Sequence, residues 1–146
     1  MPQKEFIDLI EKNMTILDRL NGRIKCVPNR TGYSKQQFQT LIRLYLGGRA
    51  RLKDIAKREM VPASNLCLVL KTLEKDGLVL RQVDDSDRRN TWYSLTASGE
   101  KLAKDVICGF KRRIAEIFAG LEKKDEEKLT AALRTMNELL NKIKGE

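Results

Sequence analysis

Histidine is absent from the 146 residues. Its absence removes the commonest general acid–base side chain, the Ser-His-Asp and Cys-His nucleophile pairs and the usual zinc constellations. Cysteine is scarce: Cys26, Cys67 and Cys108 are odd in number, form no CxxC and show no metal-ligand spacing, so no metal site is expected. No glycine-rich phosphate loop follows a strand, and no cofactor is expected. Long apolar runs are also missing, which excludes a membrane helix. The N-terminal MPQKEFIDLIEKNM carries acids where a signal peptide would have its apolar core, so a cytoplasmic chain is expected. None of these features supports an enzyme.

What is present is basic charge. Twenty-nine Lys and Arg face twenty Asp and Glu, a formal +9. From Arg19 to Lys53 the chain has nine basic residues and no acid. Ordinary surfaces intersperse both signs, so this stretch suits a polyanion such as nucleic acid or an anionic membrane surface. The composition is otherwise that of a globular protein, 41% hydrophobic and 34% charged. A chain of this length hides only about two-thirds of its surface by itself, so a further interface would help it.

Periodicity predicts a mainly helical chain. Phe6, Ile10, Met14, Leu17, Leu20 and Ile24 recur at helical spacing, and the segment ends near Cys26-Val27-Pro28 before the loop at Asn29-Arg30-Thr31-Gly32. Ser34 with Gln37 three residues on is a capping-box signature. The helix it opens buries Phe38, Leu41, Ile42 and Tyr45 and stops at Gly47-Gly48. A short helix from Leu52 to about Met60 and another from Ala63 to about Asp76 follow, the latter after Val61-Pro62, with Leu66, Val69, Leu70 and Leu73 inward. Two short helices on a tight turn are the unit that presents a recognition helix to DNA. The β-branched and aromatic runs Leu78 to Val83 and Thr91 to Leu95 flank a polar turn, Asp84 to Asn90, and predict a hairpin. Apolar stripes then run through Leu102, Val106, Phe110, Ile114, Ile117 and Leu121, and through Leu129, Leu133, Met136, Leu140 and Ile143. Together with the first stripe they exceed what a small domain needs, and the surplus belongs at a subunit interface.

The stretch from Ser34 to Lys101 resembles the MarR family. The carriers are Leu73-Glu74-Lys75-Asp76-Gly77-Leu78-Val79, then Asp84-Asp85-Ser86-Asp87-Arg88-Arg89, then Ser94-Leu95-Thr96-Ala97-Ser98-Gly99. They follow the family's LEKxGLVxR, D-x-x-D-x-R and LTxxG patterns in order. The resemblance implies a mainly α fold with a small β-hairpin wing. A winged helix-turn-helix domain at 34–96 would be flanked by dimerisation helices at 1–30 and 97–146. It implies a two-fold homodimer on a pseudo-palindromic DNA operator, with the helix from Ala63 in the major groove and the wing in the neighbouring minor groove. The expected function is a transcription regulator, a repressor released by a small aromatic or hydrophobic effector. The alternatives are an oxidant-sensing regulator of the same fold and a winged-helix adaptor for a protein partner.

The residues set out the expected contacts. Outward on the recognition helix are Ala63, Ser64, Asn65, Leu68 and Lys71. Ser64 and Asn65 suit base edges or phosphates, or else they cap the helix that they begin. Leu68 stands where the family often has arginine or another polar residue, and it suits a thymine methyl. At the hairpin tip, Ser86, Arg88, Arg89 and Asn90 are the expected wing contacts, with arginines drawn to a narrow minor groove. Asp87 is expected to orient Arg89, since Asp84, Asp85 and Asp87 would repel phosphate if unpaired. Lys35, Arg51 and Lys53 lie at helix starts, within reach of phosphate. Cys67 is expected to be a buried, inert cysteine; Cys26, beside Arg23, Lys25 and Arg30, and Cys108 are the redox candidates. In an effector pocket, Arg19, Arg23 or Arg43 would pair an acidic ligand. Tyr33, Phe38, Tyr45, Trp92 and Phe110 are expected in the core.

Overall fold

A computed structural model of the chain describes residues 4–24 and 32–143. Six helices and three short strands follow in the order α1 (Lys4–Ile24), α2 (Lys35–Gly47), β1 (Ala50–Arg51), α3 (Leu52–Glu59), α4 (Ala63–Lys75), β2 (Val79–Val83), β3 (Thr91–Leu95), α5 (Ala97–Phe118) and α6 (Lys123–Leu140). The chain divides into two units, residues 1–111 and 112–146.

In the first unit the helix boundaries follow from their caps. Ser34 Oγ accepts from Gln37 N while Gln37 Oε1 accepts from Ser34 N, so both halves of the capping box close α2. Gly48, at φ 73°, donates to Leu44 O and ends the helix. At the end of α4, Gly77 takes φ 71° and lets Leu78 N reach back to Leu73 O. The turn between α3 and α4 has no glycine. Met60 takes the left-handed conformation itself, at φ 52° and ψ 43°, with its side chain in solvent, at a backbone cost of about 1 kcal/mol. Pro62 is the N-cap of α4 rather than its first helical residue.

The sheet is antiparallel in the order β1-β3-β2. Val79 faces Leu95, Arg81 faces Tyr93, and Arg51 of β1 faces Trp92. The strand β1 was not expected from the sequence. It is two residues long, and its partner lies some forty residues away. The third motif has a structural reason. Thr96 Oγ1 donates to Gly77 O at 2.6 Å and accepts from Gly99 N at 3.1 Å, which ties the start of α5 to the end of α4. A Cβ on Gly99 would stand 2.0 Å from Leu78 O, so only glycine permits that approach.

The core gathers Leu41 and Leu44 of α2, Ile55 and Ala56 of α3, Leu66, Leu70 and Leu73 of α4, then Leu78, Val79, Tyr93 and Ala103. Burying one such leucine contributes roughly 1.5–3 kcal/mol, and together these side chains fix α4 against α2, α3 and the hairpin. One charged group joins them: Glu59 accepts from Gln36 Nε2 and, at 3.1 Å, from Thr40 Oγ1, so it pins α3 to α2. Val69 is half-buried, and so is Cys67, which was expected to be fully buried. Phe110 is exposed rather than in the core.

The second unit holds the end of α5 and all of α6. The stripe assigned to α5 overruns the helix: Leu121 lies beyond Phe118, in a turn where Ala119-Gly120 breaks the helical hydrogen bonding to i→i+3 spacing. Ile143 likewise lies past the end of α6. Asp125 and Glu126 in the first turn of α6 complement its dipole. Its Leu129, Leu133, Leu139 and Leu140 are exposed.

Candidate nucleic-acid interface

Packing decides which face of α4 is free. Leu66, Leu70 and Leu73 point inward, so helical spacing turns Ala63, Ser64, Asn65, Leu68 and Lys71 outward, and all five are exposed. Leu68 is 65% exposed, a large value for a leucine in a compact domain. Pro62 gives α4 no side-chain cap. Neither Ser64 nor Asn65 spends its side chain on capping, and the first-turn N–H groups remain available to an oxygen ligand. Lys35 and Lys53 are exposed at the starts of α2 and α3.

The wing tip is ordered by its acids. Asp84 Oδ1 accepts from Ser86 N at 3.0 Å and from Ser86 Oγ at 2.7 Å. The Ser86 hydroxyl, then its amide, hold the Asp84 carboxyl below the usual carboxylate range. Asp84 N donates to Asn90 O, and Asn90 N to Asp87 O, each at 2.9 Å. Asp87 Oδ1 accepts from Arg89 N at 3.0 Å. Asp87 therefore acts on Arg89 through its backbone, and the guanidinium is left to the solvent face. Short carboxylates in a turn reach amides two residues on more readily than long side-chain tips. Arg88 and Arg89 stay exposed, with no carboxylate in ion-pair range among the described residues.

Other expected residues are engaged with neighbours or lie on other elements. Arg51 is engaged, with Nε 2.8 Å from Asp54 Oδ2 and its guanidinium carbon 5.6 Å from the centroid of the Trp92 ring. Arg43 Nε stands 3.7 Å from Glu59 Oε1. Arg19 and Arg23 lie exposed on α1. A cleft of about 350 Å³ opens among Leu44, Tyr45, Gly48, Arg49, Ser94, Leu95, Glu100 and Lys104; Arg19, Arg23 and Arg43 are not among these lining residues. Cys108 is exposed on α5, and Cys26 lies outside the described residues. Among the described residues no group of His, Cys, Asp or Glu could hold a metal ion. No described helix is long and apolar enough to cross a membrane.

Arg49 was missed by sequence reasoning. Its guanidinium carbon lies 4.3 Å over the Trp92 ring. The alternation Arg49-Ala50-Arg51 before α3 is the one signal that could have marked a strand there.

Comparison with known proteins agrees with this geometry. Residues 33–91 match the MarR family. The uncharacterized HTH-type transcriptional regulator YkoM of Bacillus subtilis (strain 168) is 28% identical over 103 residues, which cover 70% of this chain and 67% of YkoM. The structure of a MarR family protein from Bacillus stearothermophilus superposes with a TM-score of 0.78 at 18% identity, covering 97% of this chain and 99% of that one. Streptococcus pneumoniae FabT in complex with DNA superposes at 0.62 with 19% identity, covering 96% of each chain. At these identities the two structures speak for the fold. The motif triplet, the three-stranded sheet with its hairpin and the matched segment agree, and the chain belongs to the MarR family of winged helix-turn-helix transcriptional regulators.

Proposed function

We propose that the chain is a cytoplasmic, non-catalytic repressor that binds a pseudo-palindromic DNA operator as a homodimer. Each α4 enters a major groove and each wing the adjacent minor groove. A small aromatic or hydrophobic ligand releases the complex. One observation carries the reading: the exposed face of α4 and the two wing arginines, Arg88 and Arg89, lie within one compact unit with their polar groups uncommitted. Ser64, Asn65, Leu68 and Lys71 supply base and phosphate contacts, with Lys35 and Lys53 on flanking phosphates. Segments 1–30 and 97–146 supply the subunit interface, a role supported by the exposed Phe6, Ile10, Leu17, Leu133 and Leu140. FabT's structure with DNA supports the partner.

Fluorescence anisotropy tests the wing. On a duplex from upstream of the chain's own gene, Arg89→Ala is expected to weaken binding by roughly 1–3 kcal/mol. A variant that binds like the unaltered chain contradicts the wing assignment. Leu68 favours a second reading, in which the same face docks a protein partner. That reading predicts equal, weak binding to every duplex and capture of a partner that Leu68→Asp abolishes.

A further inference from the structure

Trp92 is the sole tryptophan of the chain. It stands second in β3, at the base of the wing tip, half-buried and outside the core cluster. Arg51 is its cross-strand partner on β1. Arg49, two residues earlier, shares a face with Arg51. Both guanidinium carbons approach the indole, at 4.3 Å for Arg49 and 5.6 Å for Arg51. Two like charges gathered on one ring repel each other, and Asp54, in the first turn of α3, offsets that repulsion by holding Arg51 Nε at 2.8 Å. The buried indole N–H has no hydrogen-bond partner among the described residues, so the contacts of the ring with the two guanidinium groups are the polar contacts that hold it. A continuous line of side chains therefore joins α3 to the base of the wing: Asp54, Arg51 and Trp92.

We propose that Arg49 and Arg51 clamp Trp92 to fix the angle of the wing on the helix-turn-helix, which makes Trp92 a positioning residue for Arg88 and Arg89. The inference rests on the DNA-binding reading. A two-stranded hairpin alone is marginal in water, and only Val79 of β2 is buried. The two-residue β1 adds little ladder. Indole is the ring that guanidinium prefers, and the contact strengthens as the ring leaves water. The wing's angle is thus set by side chains at its base.

The sole tryptophan makes the clamp directly readable without DNA. Arg49→Ala is expected to red-shift Trp92 emission, raise its quenching by acrylamide and speed amide exchange at 84–90, with far-ultraviolet circular dichroism unchanged. Arg49→Lys should fall between. On the upstream duplex, Trp92→Leu is expected to weaken binding about tenfold, the size of one lost groove contact, and Trp92→Phe, which keeps an aromatic face, by less. In a background lacking both wing arginines (Arg88→Ala with Arg89→Ala), Trp92→Leu should cost almost nothing further, because the residues it positions are gone. Unchanged emission and exchange in Arg49→Ala overturns the clamp. Full additivity of Trp92→Leu with the double arginine substitution overturns the positioning role. A wild-type chain with no preference between upstream and scrambled duplexes fails the DNA-binding reading, and the emission and exchange comparison still decides the clamp.

Discussion

Glu59 sits with its side chain enclosed between α2 and α3, held by Gln36, Thr40 and, at 3.7 Å, Arg43. Burial pushes its carboxyl above the usual range, against the lowering effects of Thr40, Arg43 and Gln36. The folded protein then holds this proton more tightly than the unfolded chain. Its contribution to stability is greatest below the ordinary glutamate range and declines as pH rises through the raised folded value. Glu59→Gln keeps an acceptor for Gln36 without the charge. Urea titrations at several pH values are expected to show this variant gaining on the parent as pH rises; a difference independent of pH contradicts the account. Asp84 carries the opposite sign: its lowered carboxyl supports the wing above the ordinary aspartate range and loses that effect as pH falls through the folded value. At this scale the sequence was legible where one residue type has one geometric use, as with Ser34 and Gln37. It was least legible where a side chain had several partners to choose among. Asp87 took a backbone amide, and Arg51 took Asp54 and Trp92.

Elements were legible where their periodicity and caps are local. The bounds of α2, α4 and both hairpin strands came within a residue or two of expectation, because Gly48, Gly77 and the polar tip state them in the chain. The strand β1 depends on a distant partner, and Met60 adopts a conformation that its residue type does not announce. The stripe through Leu121 misled because the spacing continues across Gly120 while the hydrogen bonding does not. Gly99 shows what the LTxxG motif does for the assembly of elements. Gly99→Ala would put a methyl 2.0 Å from Leu78 O, a backbone atom that cannot swing aside. The expected result is a loss of about 1–3 kcal/mol in urea unfolding, with α5 displaced from the hairpin. A variant as stable as the parent contradicts that reading of the motif.

Across the whole molecule, two features remain after each unit has folded. One is apolar surface: Phe6, Leu9, Met14 and Leu17 on α1, and Leu129, Leu133 and Leu140 on α6, stay exposed in a single chain. Surface of this kind in continuous helical stripes marks an interface, and the proposed homodimer would cover it. Leu133→Glu is expected to weaken dimerisation by about 2 kcal/mol or more, read as a shift to monomer in sedimentation, with operator affinity falling alongside. A variant that remains dimeric contradicts the placement. The other feature is the +9 charge with its acid-free stretch from Arg19 to Lys53, whose counterpart is a polyanion. The measurement that bears most directly on the proposal is anisotropy of the purified chain on its upstream duplex and on a scrambled duplex, each titrated with salt. Binding to the upstream duplex is expected to be at least about a thousandfold tighter than to the scrambled one, with log affinity falling steeply and linearly with log salt. Equal affinity for both duplexes, or binding insensitive to salt, contradicts the proposal.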